Sequence, residues 1–160
     1  MLTAGAIMTT ELTTIRPEAS VEEAIGLLIS GNISGLPVTN SLGCLEGVIT
    51  EFALLATVYD QQVNAQTVAQ HMTREVITAD VDDPISQLAD LCIVHRVRRL
   101  PVTKNGQLVG LVARRDVLRA LHLSHGLERF IGNLEPDPQA AKIESKEPSR
   151  YLLETEVQAT

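Results

Sequence analysis

The chain contains an internal duplication, in which residues 8–55 reappear in order as residues 72–118. Three short motifs mark the match, at Met8-Thr9 and Met72-Thr73, at Leu36–Thr39 and Leu100–Thr103, and at Gly47–Ile49 and Gly110–Val112. The first two pairs are 64 residues apart and the third is 63 apart, because one turn is a residue shorter in the second copy. Length changes belong in surface turns, whereas packed elements keep their register. The chain is therefore predicted to be two copies of one folding unit.

The duplication divides the chain into three predicted segments. Residues 1–64 form the first domain, here repeat 1, and residues 65–133 form the second, repeat 2. Residues 134–160 are polar and contain several prolines, so we expect a flexible tail that is dispensable for folding.

Composition limits the core and the environment. The hydrophobic fraction is 44% but aromatic residues make up only 2%, so the core must be built from Leu, Val, Ile and Ala. No apolar run approaches the roughly 18 residues of a membrane span, and residues 1–8 lack the features of a secretion signal. We expect a soluble, cytoplasmic protein.

Cysteine and histidine give no sign of a disulfide framework or a metal site. Cys44 and Cys92 lie outside any motif and are interpreted as buried or half-buried thiols. Among the four histidines only His122 and His125 have a ligand-like spacing, and a third ligand is lacking nearby. No metal is therefore expected.

Charge is distributed unevenly between the repeats. Repeat 1 carries seven acids and one base, whereas repeat 2 carries seven acids and nine bases. The whole chain has a net charge of −7, which argues against general nucleic-acid binding. Bases gathered in one repeat indicate a local site for an anion instead.

The pattern of repeat 1 predicts strand, helix, strand, strand and helix. Ser20 and Glu23 form a capping box that starts the first helix, and the left-handed conformation favoured at Gly31-Asn32 ends it. The predicted strands are Leu12–Ile15, Gly35–Thr39 and Leu45–Ile49, and a second helix capped by Thr50 runs to about Tyr59.

Repeat 2 has the same pattern. Its first helix is predicted to be capped by Asp82 or Asp83, with Pro84 in the first turn. The dipeptide Asn105-Gly106 predicts a tight hairpin. The predicted strands are Val76–Thr78, Arg99–Thr103 and Leu108–Val112, and the last helix is Arg114–Leu123. The fold class is therefore α/β (α+β).

Both repeats carry Leu-Pro-Val before the hairpin and a Gly-hydrophobic-hydrophobic motif after it, which leads into a helix start. This arrangement, found twice over residues 6–123, resembles the CBS domain, and two in tandem look like a Bateman module. The resemblance implies two units packed sheet to sheet with pseudo-twofold symmetry, and usually a homodimer. It also implies a regulatory protein that binds an adenosine compound (AMP, ADP, ATP or S-adenosylmethionine) between the units.

The residues that would hold such a ligand are split between the repeats. A hydroxyl at a helix start suits a phosphate, and an acid three residues later can accept hydrogen bonds from both ribose hydroxyls. Repeat 1 has Thr50 but Ala53 in place of the acid, whereas repeat 2 has Asp116 but Ala113 in place of the hydroxyl. Neither site is complete.

We expect the cleft at Asp116 to be the occupied one, since arginines nearby can replace the missing hydroxyl as phosphate donors. The resemblance places part of the base pocket in repeat 1 and makes Leu111 its apolar floor. The predicted ligand-binding residues are Thr13, Ile33, Ser34, Arg98, Arg99, Leu111, Ala113, Arg114, Arg115 and Asp116. A second, degenerate site would use Thr50, Ala53, Ile77 and Val97.

Other interpretations of these residues stay open. The arginines could pair with Asp80, Asp82, Asp83 or Asp90 or be solvated, and Asp116 could be only an acid favoured by the helix dipole. The chain lacks a nucleophile–base motif, a phosphate loop and a metal set, so an enzyme is the weakest prediction. The choice lies between a regulatory nucleotide-binding module that signals to a partner protein and a dimeric scaffold that has lost ligand binding.

Overall fold

The structure, a computed structural model, describes residues 1–57 and 59–131. Residues 1–118 form one unit, and the described part of a second unit, residues 119–131, continues the last helix. The predicted tail lies outside the described residues. The helices are α1 (Ala4–Ile7), α2 (Val21–Gly31), α3 (Glu51–Leu55), α4 (Ile85–His95) and α5 (Arg114–Ile131), the strands are β1 (Gly35–Thr39), β2 (Leu45–Thr50), β3 (Ala79–Asp80), β4 (Arg99–Lys104) and β5 (Gln107–Ala113), and 3-10 turns cover Gln61–Ala65 and Val68–Gln70.

Repeat 1 places one helix and a hairpin around a common core. The Ser20 hydroxyl accepts the Glu23 N–H at 3.1 Å and starts α2, and Asn32 ends it with a φ of 48°. Strands β1 and β2 pair antiparallel, and Ile15 adds a parallel bridge to Val38 at the other edge of β1. The predicted mixed α/β class is confirmed, although the first strand is reduced from Leu12–Ile15 to that one bridge.

Repeat 2 has the same layout. Strand β3 pairs parallel with β4, and β4 pairs antiparallel with β5. Asn105 and Gly106 have φ angles of 53° and 81°, as the predicted tight turn requires. The helix-facing positions Leu100, Val102 and Val112 are at most 1% exposed, as are Leu36, Val38 and Ile49 at the matching positions of repeat 1.

Several predicted boundaries were wrong. The first strand of repeat 2 is β3 rather than Val76–Thr78, since Ala79 and Asp80 are the residues that pair with β4. Pro84 occupies the N-cap of α4, because the Asp83 carboxylate instead accepts the Asp80 N–H at 2.8 Å. Helix α3 ends at Leu55 rather than near Tyr59, and α5 continues past Leu123 to Ile131.

The N-terminal segment of each repeat forms hydrogen bonds with the other repeat, an arrangement here called the exchange of segments. Residues 2–9 bond to repeat 2, where the Ala4 N–H reaches the Asp83 carbonyl at 2.8 Å and Thr9 pairs with Leu111 of β5. Residues 66–73 bond to repeat 1 in the same way, and here Val68 reaches the Ala19 carbonyl at 2.8 Å and Thr73 pairs with Val48 of β2. Each pair of bonds maps onto the other through the internal repeat, at an offset of 64 residues before the hairpin turn and 63 residues after it.

The hairpin turns also bond to each other. The Leu45 N–H donates to the Gly106 carbonyl at 3.3 Å, and the Leu108 N–H donates to the Gly43 carbonyl at 3.0 Å. Replacing each residue by its equivalent in the other repeat converts either bond into the other. The hydrogen bonding between the repeats therefore follows a pseudo-twofold axis.

Two glycines make room for the exchanged segments. A side chain at Gly47 would lie 2.6 Å from the Thr73 carbonyl oxygen and 3.0 Å from the Met72 sulfur. A side chain at the matching Gly110 would overlap the thioether of Met8. The glycine of each repeat therefore lies against the methionine of the other repeat.

We expect Gly47→Ala to lower the free energy of unfolding by about 1–3 kcal/mol, because a backbone carbonyl cannot move aside as a flexible side chain can. Gly26→Ala is the matched control, since a methyl group there would meet nothing within 4 Å. That control should raise the free energy of unfolding by about 0.5–1 kcal/mol, because Gly26 lies within α2. Urea denaturation measures both, and equal stability of the two variants would contradict the contact.

Candidate functional site

Each repeat ties the start of its second helix to the residue before its first hairpin strand. The Glu51 N–H donates to the Ser34 carbonyl at 2.9 Å, and the Arg114 N–H donates to the Arg98 carbonyl at 2.8 Å. The two bonds are equivalent by the internal repeat. Each helix start therefore faces a defined loop, as a binding site at that end of the sheet would need.

The N-terminus of α3 in repeat 1 is capped by the hydroxyl of Thr50. The Thr50 side chain accepts the Ala53 N–H at 3.2 Å and so acts as an N-cap. The hydroxyl proton remains available to a ligand oxygen. The structure places Thr50 and Ala53 one helical turn apart, and the loop of Ile33 and Ser34 lies beside this helix start, where the Ser34 carbonyl accepts the Glu51 N–H.

The helix start of repeat 2 has the acid and the bases. Asp116 is half-buried in the first turn of α5, while the side chains of Arg98, Arg99, Arg114 and Arg115 are exposed. Asp116 and Arg98 each already interact with other groups of the protein. One carboxylate and four arginines thus belong to two segments that the hairpin brings side by side, since Arg99 pairs with Ala113 and the Arg114 N–H bonds to the Arg98 carbonyl.

The guanidinium of Arg114 at this helix start affects the pKa of a buried thiol, Cys92. Burial raises the pKa of Cys92, and the guanidinium of Arg114 acts against that rise. Cys92 is buried and Cys44 is half-buried, as predicted for thiols outside any motif. At neutral pH Cys92 is therefore a protonated packing residue.

Four of the residues predicted to bind a ligand lie in different segments of the chain. Thr13 is exposed two residues before the Ile15 bridge, and Leu111 is half-buried in β5. Ile77 and Val97 are half-buried in the segments before β3 and β4. Whether Thr13, Ile33 and Ser34 share one cleft with Asp116 stays a prediction.

An apolar groove on the helix side of repeat 1 includes the Ser34 loop and the Glu51 helix start in its lining. Its volume is about 620 Å³, and it is lined by Ile25, Leu28, Ile29, Asn32, Ile33, Ser34, Glu51, Leu54 and Leu55. Sequence reasoning assigned Ile33 and Ser34 to a nucleotide pocket and missed this groove. The available signal was Ile29, an apolar residue beside the helix end that the core does not cover.

Neither a metal-ion cluster nor a membrane-spanning helix is found among the described residues. Over residues 1–57 and 59–131, no three His, Cys, Asp or Glu side chains are placed to share a metal ion. In the same part of the chain, no helix combines the length and apolar content needed to cross a bilayer.

Comparisons with known proteins agree with the internal repeat. The family description of the CBS domain matches residues 4–60 and 68–123. A protein of Methanocaldococcus jannaschii, MJ1225, is 26% identical over 163 residues, which cover 96% of this chain and 58% of that protein. The chain thus spans little more than half the length of this relative.

Solved structures of CBS-domain pairs share the fold. CBSX2 of Arabidopsis thaliana, solved in complex with AMP, has a TM-score of 0.68 and 29% identity, covering 77% of this chain and 98% of that one. The CBS domain pair of protein MJ0100 was solved with 5′-methylthioadenosine and S-adenosyl-L-methionine. It has a TM-score of 0.65 and 28% identity over 77% of this chain and 98% of that one.

We expect Thr50→Ala to lower the free energy of unfolding by about 1 kcal/mol, because the Ala53 N–H loses the oxygen that caps α3. Thr50→Ser keeps that oxygen and is the matched control. Thermal melting followed by circular dichroism measures both variants. An alanine variant as stable as the serine variant would show that the cap contributes nothing.

Proposed function

Because the chain belongs to the CBS domain family, we propose that it is a regulatory module that binds an adenosine-containing ligand and passes its state to a partner protein. The support is that two structures similar in fold and sequence were solved with AMP or with S-adenosyl-L-methionine and 5′-methylthioadenosine. The single feature of this chain that carries the proposal is Asp116 at the start of α5, beside four arginines.

The ligand is proposed to bind at Asp116 and at one site per chain. A ribose diol without its acid acceptor loses charge-assisted hydrogen bonds worth about 1.5–3 kcal/mol, or about ten- to a hundredfold in affinity. Repeat 1 has Ala53 at that position and so lacks the acceptor. A phosphate at repeat 2 lacks only a hydroxyl, and arginine side chains can supply donors in its place.

Local bonding weakens one form of the alternative, in which Asp80 and Asp83 neutralise the arginines. Asp80 accepts the Asp82 N–H at 3.0 Å, and Asp83 accepts the Asp80 N–H at 2.8 Å. Both carboxylates thus hold the turn before α4. The exposed guanidinium groups of Arg99 and Arg115 are proposed to meet ligand phosphate rather than these acids.

We propose that the module acts as a homodimer and resides in the cytoplasm, and that it has no catalytic role of its own. The repeat boundaries at residues 64 and 133 are part of the same proposal. The second candidate is a dimeric scaffold without a ligand, which the incomplete motif in each repeat favours. A thermal-shift screen with AMP, ADP, ATP and S-adenosylmethionine separates the two, since the scaffold would gain no stability from any of them.

Asp116→Asn should weaken the binding of the best nucleotide by about ten- to a hundredfold, because the amide cannot accept two ribose hydroxyls as a carboxylate can. Asp90→Asn is the matched control, since it removes the same charge from an exposed position on α4. Titration calorimetry should show a stoichiometry near one for the unchanged protein. Two equivalent sites per chain, or equal affinity of both variants, would refute the assignment.

Ala53→Asp should create a second, weaker site, because it places an acid one turn after Thr50 and completes the motif in repeat 1. The stoichiometry in the same titration should then rise towards two. Ala53→Asn controls for the change in size, and it should leave the stoichiometry near one.

A further inference from the structure

The contact between Met8 and Gly110 joins the N-terminal segment of the chain to repeat 2. Gly110 is buried in β5, and the thioether of Met8 occupies the space that a side chain at this glycine would fill. The next residue, Thr9, donates its N–H to the Leu111 carbonyl at 2.9 Å, and the Leu111 N–H donates to the Thr9 carbonyl at 3.0 Å. The sulfur of Met8 therefore lies against the strand to which its own segment is bonded.

The equivalent contact in repeat 1 is better shielded from solvent. Met72 is 9% exposed and packs in the core of repeat 1, where its sulfur would lie 3.0 Å from a side chain at Gly47. Met8, in contrast, is half-buried. Packing explains why methionine faces glycine in both repeats, because an unbranched thioether fits a narrow and irregular space. Packing does not require the difference in exposure, and that difference leaves Met8 within reach of small solutes.

The N-terminal segment also lies close to repeat 2 at its other end. The Gly5 N–H donates to the Val81 carbonyl at 2.9 Å, and a side chain at Gly5 would lie 2.9 Å from a methyl group of Val81. Because the segment is bonded at both ends, it cannot move away from Gly110 without lengthening the bonds to Val81 or to Leu111. An oxygen atom added to the Met8 sulfur would therefore compete with these backbone bonds.

We propose that Met8 is a site of oxidation by hydroperoxides, and that its sulfoxide releases the N-terminal segment from repeat 2. The sulfur lone pair attacks one oxygen of hydrogen peroxide, and a sulfur–oxygen bond forms as the oxygen–oxygen bond breaks. The displaced hydroxide takes the proton from the sulfur-bound oxygen and leaves as water, so that sulfur is oxidised and the peroxide reduced. The product is polar and disrupts an apolar contact. A methionine sulfoxide reductase, with a thiol as the electron donor, returns the sulfur to the thioether.

The rates of oxidation test the site. Hydrogen peroxide is added to the full chain carrying Cys44→Ser, which removes the half-buried thiol, and peptide mass spectrometry follows each methionine. Met1 is fully exposed and gives the rate of an unprotected side chain. Met8 should be oxidised several times faster than Met72, because Met72 is buried. Equal rates at these two residues would overturn the proposal.

Amide hydrogen exchange tests the release of the segment. In protein oxidised at Met8, the amide hydrogens of Thr9 and Leu111 should exchange with solvent several times faster, since their mutual bonds are lost. The amides of Val48 and Thr73, which form the equivalent bonds in repeat 1, are the internal control and should keep their rates. Treatment with the reductase and a thiol should restore the slow exchange. Unchanged exchange at Thr9 and Leu111 after complete oxidation of Met8 would refute the release.

Two substitutions distinguish the Met8 sulfur from oxidative damage elsewhere. Met8→Leu keeps an apolar side chain of similar volume without the oxidisable atom, so peroxide should leave its melting temperature unchanged. Met8→Gln places a polar side chain in the contact, and it should lower the melting temperature of the untreated protein by several degrees. Met72→Leu is the matched control and should lose stability in peroxide as the parent protein does. An equal loss in Met8→Leu would overturn the proposal.

These measurements need no nucleotide, so the oxidation site and the proposed ligand site can fail independently. Faster exchange at Thr9 and Leu111 on oxidation supports this inference even in a protein that binds no ligand. Nucleotide binding at Asp116 in a protein whose N-terminal segment stays bonded after oxidation refutes this inference and leaves the proposed function in place.

Discussion

The reciprocal exchange of residues 2–9 and 66–73 is the constraint on which the rest of the structure depends. Each segment adds an edge partner to the hairpin of the other repeat, through Thr9 on Leu111 and Thr73 on Val48. A buried edge strand without a partner would leave backbone groups unsatisfied. The exchange thus satisfies both sheet edges, and it fixes where each hairpin, and with it each helix start, stands in the unit.

The repeat could be predicted from the sequence because its signals are local. Turn residues, capping residues and the Leu-Pro-Val motif determine their own surroundings, and the hairpins at 35–50 and 99–113 were found at nearly the correct bounds. Helix α2 was placed for the same reason, through Ser20 and Asn32. What failed depends on distant partners. Residues 76–78 have strand-forming side chains, but the residues that pair with β4 are Ala79 and Asp80, and no local rule identifies them.

The helix-start residues of the site could be predicted from the sequence, whereas the grouping of loops around them stays a prediction. The sequence identified Thr50 and Asp116 as helix-start residues, and both stand there. The assignment of Ile33 and Ser34 to the cleft at Asp116 stays a prediction, and the Ser34 carbonyl accepts the Glu51 N–H at the helix start of its own repeat. A spacing of residues defines which groups share a helix turn, but it does not define which loop of a duplicated fold closes over them.

The exchanged segments bear on how such a chain could arise. Before duplication, one repeat would have found an edge partner only in a second molecule, and its sheet would have been complete only above a certain protein concentration. Joining two copies in one chain makes that encounter intramolecular, where the effective concentration of the partner is in the millimolar range. Two repeats in one chain therefore pair without depending on the protein concentration. Joining them also leaves the two halves free to diverge in charge, and repeat 1 here carries one basic residue where repeat 2 carries nine.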